Sequence, residues 1–164
     1  MIILLMGVSG SGKTTIGEEL SSTLGFKFIE GDSFHSRENI KTMSSGKPLS
    51  DLQREPWLKM IRREIDGNLH TRSDCVVACS ALSIKSRKIL GVDRKGITVI
   101  FLMAPKKLIA QRLSNRQNHF MHADLLDSQF NDLEHPKSDE AIPIKVDRNV
   151  SNITKDIIKK LEGI

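Results

Sequence analysis

The stretch Gly7-Val8-Ser9-Gly10-Ser11-Gly12-Lys13-Thr14 ("GVSGSGKT") follows directly on the apolar run Ile2-Ile3-Leu4-Leu5-Met6 and precedes Ile16, Leu20 and Leu24 at helical spacing. It meets G-x-x-x-x-G-K-[ST] at every fixed position, with a strand pattern before it and an amphipathic helix pattern after it. Glycines in such a loop let the backbone curl until its N–H groups converge on phosphate oxygens at a helix N-terminus, where the helix dipole also favours negative charge. Gly7, Val8, Ser9, Gly10, Ser11, Gly12, Lys13, Thr14 and Thr15 are therefore candidate nucleotide-binding residues. Lys13 is assigned to the β- and γ-phosphates and Thr14 to a magnesium ion. The loop is read as a site for a nucleoside triphosphate, taken as ATP.

Short apolar runs alternate with helix-period stretches along the rest of the chain, which predicts an α/β fold with helices on both faces of a parallel sheet. Candidate strands are 2–6, 26–29, 74–79, 97–102 and 142–147, and the Val and Ile content of "CVVAC" and "ITVIFL" suits strands buried on both faces. Leu58, Ile61, Ile65 and Leu69 mark one helical stripe, and Ile153, Ile157 and Leu161 mark another. Pro105 opens a helix running to about residue 115, since proline is tolerated in a first turn. The loop-like "MSSGKPLSD" at 43–51 separates two helices of an insertion after the second strand.

At 164 residues, with 38% hydrophobic and 27% charged residues, the chain is expected to form a single globular domain. No run approaches the roughly 18–20 apolar residues of a membrane span. The N-terminal apolar run lacks a preceding basic segment and a cleavage-site pattern, so it reads as a buried strand, and the expected location is cytoplasmic. Cys75 and Cys79 lie on one strand, where neither a disulfide nor a metal site is expected. The net charge of +5 admits nucleic acid or a small anionic substrate as partner. Scattered basic residues and only 4% aromatics count against nucleic acid.

The same phosphate loop serves switches, motors and metabolite kinases, so the acceptor must be read elsewhere. The guanine-reading pattern N-K-x-D does not occur in the sequence. "FIEGDSFH" places Glu30 and Asp32 at the C-terminal end of the second strand, the edge where open parallel sheets bind ligands. A carboxylate there accepts the proton of an attacking hydroxyl, and a second one orders magnesium. Asp32 takes the first role; Glu30 suits magnesium or a helix cap. His35 suits a hydrogen bond to a polyol or a cap on the turn it opens.

Taken together, "GVSGSGKT", "EGDSFH", "NIKTMSSGKPLSDLQREPWL", "CSAL" and "NHFMHADLLDSQFNDLEHP" resemble the gluconokinase family in order and spacing through about residue 140. The resemblance implies ATP-dependent phosphorylation of D-gluconate at its 6-hydroxyl. It also implies a three-layer P-loop kinase fold like that of adenylate and shikimate kinases, with a five-stranded parallel sheet, a mobile lid at about 116–124, a substrate-binding insertion at about 34–72, and often a homodimer. Carried onto this chain it makes Asp32 the base, puts His35, Arg54, Ser80 and Arg87 at the sugar acid, Arg112 against the adenine and Arg116 near the phosphates. Physical chemistry favours Arg54, because a planar guanidinium grips a carboxylate in two places. The alternative is a surface ion pair with Asp51. Trp57 suits the core or a sugar-stacking platform. Arg112 and Arg116 lie on one helical face, suited to a closing lid or to solvent, and His119 follows them.

The chain departs from the family's usual pattern on the acceptor side. Ser83 stands where a lysine is usual, Ser86 where a tyrosine is usual, Thr42 where another lysine is usual, and Asn118 in place of a glycine. Lys41 and Lys85 lie nearby but displaced, so they point elsewhere on a helix. Two other readings accompany gluconate: a kinase for a shikimate-like hydroxy acid, and an ATP-binding regulatory module without turnover.

Overall fold

Strand β1 (Ile2–Met6) is buried along its whole length, and its side chains alternate between two separate cores. The computed structural model describes residues 1–114 and 125–163. Within them β1 is followed by α1 (Lys13–Leu24), β2 (Lys27–Glu30), a 3-10 turn (Gly31–Phe34), α2 (Arg37–Ser44), α3 (Asp51–Thr71) and β3 (Cys75–Ala78). Then come α4 (Ile84–Leu90), β4 (Ile97–Met103), α5 (Lys106–Ser114), α6 (Leu125–Asp132), β5 (Ile142–Lys145) and α7 (Val150–Leu161). The five strands form one sheet in the order β2-β3-β1-β4-β5, and every pairing is parallel. The expected strands are all present, β1 with the expected bounds and the others with ends shifted by at most two residues.

A fully buried parallel strand needs apolar side chains on both faces. Ile2, Leu4 and Met6 pack with Leu58, Ile61 and Ile65 of α3 and Leu90 of α4. Ile3 and Leu5 pack on the opposite face with Ile16 and Leu20 of α1 and Ile153 and Ile157 of α7. The stripes legible in the sequence are thus the helix faces that cover the sheet, giving three layers. The chain leaves β1 to pair β3 on one side and β4 on the other, so the strand order reverses there and a crevice opens above the carboxyl ends.

Two glycines shape that crevice. Gly7 takes φ 149°, and a Cβ on it would stand 2.8 Å from the Leu102 carbonyl oxygen. A Cβ on Gly31 would meet the Ala78 carbonyl oxygen at 2.3 Å, so the end of β2 can lie against β3 only with glycine there. Cys75 and Cys79 are free and buried, and burial pushes their thiols up to about 11 and about 12. No helix among the described residues is long and apolar enough to cross a membrane.

Candidate active site

The phosphate loop stands at the switch point, between β1 and α1. Helices α2, α3, α4 and α7 begin at Ser36, Ser50, Ser83 and Asn149, and each of these side chains accepts a backbone N–H of the first turn. Helix α1 begins differently, at Gly12 with φ 96°, no side-chain cap and no acidic residue in its first turn. Its leading N–H groups keep their capacity for an external anion. Lys13 Nζ donates to the carbonyl oxygens of Gly7 and Val8 at 2.9 and 3.0 Å, which draws the ammonium over the loop. The loop rests on α5 and α6 through Val8, which packs with Ile109 and Leu113 of α5 and Leu126 of α6.

At the end of β2 the acidic residues divide the space in front of the loop. Thr14 Oγ1 donates to Glu30 Oε2 at 2.6 Å, bringing the two expected metal-side oxygens together. The other Glu30 oxygen accepts from the Asp32 N–H at 3.3 Å, so Glu30 caps the 3-10 turn as well. No group of three or more His, Cys, Asp or Glu side chains able to hold a metal occurs among the described residues. A site with one or two protein oxygens fits magnesium, which keeps waters and takes its remaining ligands from phosphates.

Asp32 and Lys13 line one cleft, together with His35, Arg54, Trp57 and Ser80. His35 Nε2 lies 3.9 Å from Asp32 Oδ1, and the imidazole stacks on Trp57 with ring centroids 4.1 Å apart. Burial holds the His35 pKa below its ordinary value, with Asp32 opposing and Arg54 adding to the effect, so the ring is neutral near pH 7. Trp57 is buried, and its Nε1 donates to the Gly31 carbonyl at 2.7 Å. It is a core residue that also forms a wall of the cleft.

Arg54 does not pair with Asp51. Its Nη2 donates to Asp132 Oδ2 of α6 at 2.6 Å, and Asp51 is taken instead by Lys85 at 3.0 Å. Lys85 is thereby held outside the cleft lining, whereas Ser83 and Ser86 belong to it with Ser128. Ser80 lines the cleft too, and its carbonyl accepts from the Gly7 N–H at 3.1 Å, tying β3 to the loop. The next residue, Ala81, adopts φ 47°, an uncommon left-handed conformation for a residue with a Cβ.

Arg87 departs from expectation. Its side chain is 4% exposed, and Nη1 donates to the carbonyls of Ala81, Leu82 and Glu134, with Glu140 3.6 Å from Nη2. It stands outside the cleft lining because the turn after β3 directs carbonyls inward that need a buried donor. Glu134 completes this junction by accepting the Ile84 N–H at 2.7 Å. The string "LEHP" therefore contributes a staple between α4 and the segment after α6.

Arg112 of α5 donates through Nη2 to the Val146 carbonyl at 2.6 Å, which joins it to the segment between β5 and α7. The expected lid at about 116–124, with Arg116, Asn118 and His119, lies outside the described residues. Gln129 and Asp132, both within "LLDSQFNDLEHP", are two further residues that the fold brings to the cleft and its arginine. Gln129 accepts the Ser9 N–H at 2.6 Å through Oε1. The available signal was their spacing, three apart on a helix whose Leu125 and Leu126 are buried.

A family model described as shikimate kinase matches residues 9–162. The chain is 39% identical to a probable gluconokinase of Dictyostelium discoideum, the match covering 99% of this chain and 86% of that one. It is 39% identical to the thermosensitive gluconokinase of Escherichia coli (strain K12), covering 93% and 82%. A crystal structure of a gluconokinase from Sinorhizobium meliloti 1021 superposes with a TM-score of 0.85 at 37% identity, covering 98% of this chain and 90% of that one.

The placement of Arg87 yields a stability prediction. Replacing Arg87 with Met strands three carbonyls around a buried position, so the free energy of unfolding should fall by about 2–4 kcal/mol. Urea unfolding checks this, alongside the KM of the acceptor substrate, which should change little in the folded variant. Unchanged stability with a raised acceptor KM would return Arg87 to the substrate.

Proposed function

This chain belongs to the gluconokinase family of P-loop kinases, and we propose that it transfers the γ-phosphoryl group of ATP to the 6-hydroxyl of D-gluconate, giving 6-phospho-D-gluconate and ADP. The observation that carries this reading is a single cleft lined by Lys13 of the phosphate loop, Asp32 from the end of β2 and Arg54 of α3. A group for the donor phosphates, a group for the acceptor's proton and a group for an acid end face one volume.

The uncapped start of α1 and the Lys13 ammonium hold the β- and γ-phosphates. The Asp32 carboxylate accepts the proton of the 6-hydroxyl as that oxygen bonds to the γ-phosphorus and the bond to the β–γ bridging oxygen breaks, leaving ADP. Arg54 takes the gluconate carboxylate; Asp132 fixes one of its nitrogens and orients the guanidinium, which has further donors. The stacked His35 and Trp57 form the wall along which the polyol lies, with neutral His35 able to exchange hydrogen bonds with its hydroxyls. Thr14 and Glu30 would hold magnesium, which would offset the triphosphate charge. Arg112 serves the adenine end and Arg116 the charge on the transferred phosphoryl. The free thiols of Cys75 and Cys79 suit a cytoplasmic protein.

A shikimate-like acceptor is not favoured, because relatives 39% identical over nearly the whole chain carry the gluconokinase name. A module without turnover is opposed by the presence of both Lys13 and Asp32 in the cleft.

Two expectations test the reading. Asp32→Asn should lower kcat by roughly 10²–10⁴-fold with ATP affinity nearly unchanged. Equal loss of ATP binding, measured by calorimetry, would reassign Asp32 to the nucleotide. Gluconate should also be preferred over glucose, by up to roughly 10⁴-fold in kcat/KM, because glucose leaves the acid-binding donors unpaired. Arg54→Ala should raise the KM for gluconate and leave that for ATP in place. ADP release that does not distinguish the two sugars would show that the pocket does not read the acid.

A further inference from the structure

Helix α6 reaches both halves of the cleft. Asp132 holds Arg54 at 2.6 Å, and Gln129, three residues earlier on the same helix, accepts the Ser9 N–H at 2.6 Å. Because Ser9 N–H is necessarily the donor, the atom facing it is the Gln129 oxygen, and the orientation of the side-chain amide follows from chemistry. The NH2 group, with two N–H donors, is then on the other branch. Gln129 lines the cleft with Ser9, Lys13 and Asp32. Lys13 crosses the Gly7–Val8 segment and Gln129 grips the next residue, so an ammonium and an amide flank the same stretch of loop. Lysine at this position of a phosphate loop serves the terminal phosphates.

We propose that Gln129 reads the terminal phosphoryl group: its oxygen fixes the Ser9 corner of the loop while its NH2 donates to the γ-phosphate, presenting that group to the acceptor. This rests on the kinase reading above. The amide is neutral, so it adds directional donors without adding charge to a site that already has Lys13. ADP lacks the group in question, so the contact discriminates ATP from the product nucleotide. The same helix positions Arg54, which ties acceptor grip and phosphate grip to one rigid element.

The test compares Gln129→Ala and Gln129→Glu. Glutamate keeps an oxygen to accept the Ser9 N–H but replaces the two donors with negative charge. Alanine should lower kcat by roughly 10²-fold, the usual loss for one preorganised donor, with the gluconate KM little changed. Glutamate should not restore the rate, although its thermal midpoint stays near that of the unsubstituted protein. In both variants the Kd of a non-hydrolysable ATP analogue should rise more than the Kd of ADP. Restoration of the rate by glutamate would overturn the proposal and leave Gln129 as a loop staple, as would equal weakening of both nucleotides or an unchanged kcat. If the unsubstituted protein released no ADP with gluconate, the kinase reading would fail instead, and the ratio of the two nucleotide affinities would still decide the role of Gln129.

Discussion

A helix whose first turn has no cap is the constraint on which the site depends. The leading N–H groups of α1 cannot bond within the helix, and Gly12 offers no side chain to take them. Four other helices in the chain solve the same problem with Ser or Asn. At α1 the solution is deferred to a ligand, and everything around that opening is consistent with an anionic one. The Lys13 ammonium lies over the loop and the first turn has no acidic residue of its own; the Glu30 carboxylate meets that turn through the Thr14 hydroxyl, where a bridging cation would sit. The hydrophobic sheet beneath is what makes the arrangement rigid. β1 is buried on both faces, so the loop leaves it from a fixed position and in a fixed direction.

The second organising element is α6. Through Gln129 it reaches the loop and through Asp132 it reaches α3, and its first residue, Leu125, packs with Met43 and Leu49 around the turn between α2 and α3. Behind it, Glu134 and Arg87 bind the end of the segment to the start of α4. The donor side and the acceptor side of the cleft are therefore referred to one helix. This gives a physical reason for the long run of polar and apolar residues in "LLDSQFNDLEHP": successive side chains serve the loop, the core, the acceptor helix and the staple.

How much of this was legible in sequence depended on the range of the interaction. The phosphate loop, its flanking strand and helix, and the stripes at Ile16-Leu20 and Leu58-Ile61-Ile65 are local periodicities, and the structure uses them as read. Thr14 and Glu30 each belong to a local motif, one after β1 and one at the end of β2, and their contact spans the intervening strand β3. Contacts between distant segments were not legible. Ser9 and Gln129 are 120 residues apart and Arg54 and Asp132 are 78 apart, and nothing within either window announces its partner. Arg87 misled for a related reason. The resemblance puts it at the sugar acid, yet the left-handed Ala81 turns carbonyls inward and claims the guanidinium for the fold. On the acceptor side, Arg54 shares the cleft lining with the hydroxyls of Ser80, Ser83, Ser86 and Ser128.

In the proposed reaction the opening at α1 delivers a γ-phosphoryl group to one particular hydroxyl of a sugar acid. Phosphorus and carbon NMR of the product mixture, with ATP, magnesium and D-gluconate, tests it directly. One new phosphomonoester is expected, coupled to C6 of gluconate and formed in step with ADP. Inorganic phosphate accumulating at the same rate with or without gluconate, or an ester at another carbon, would contradict it.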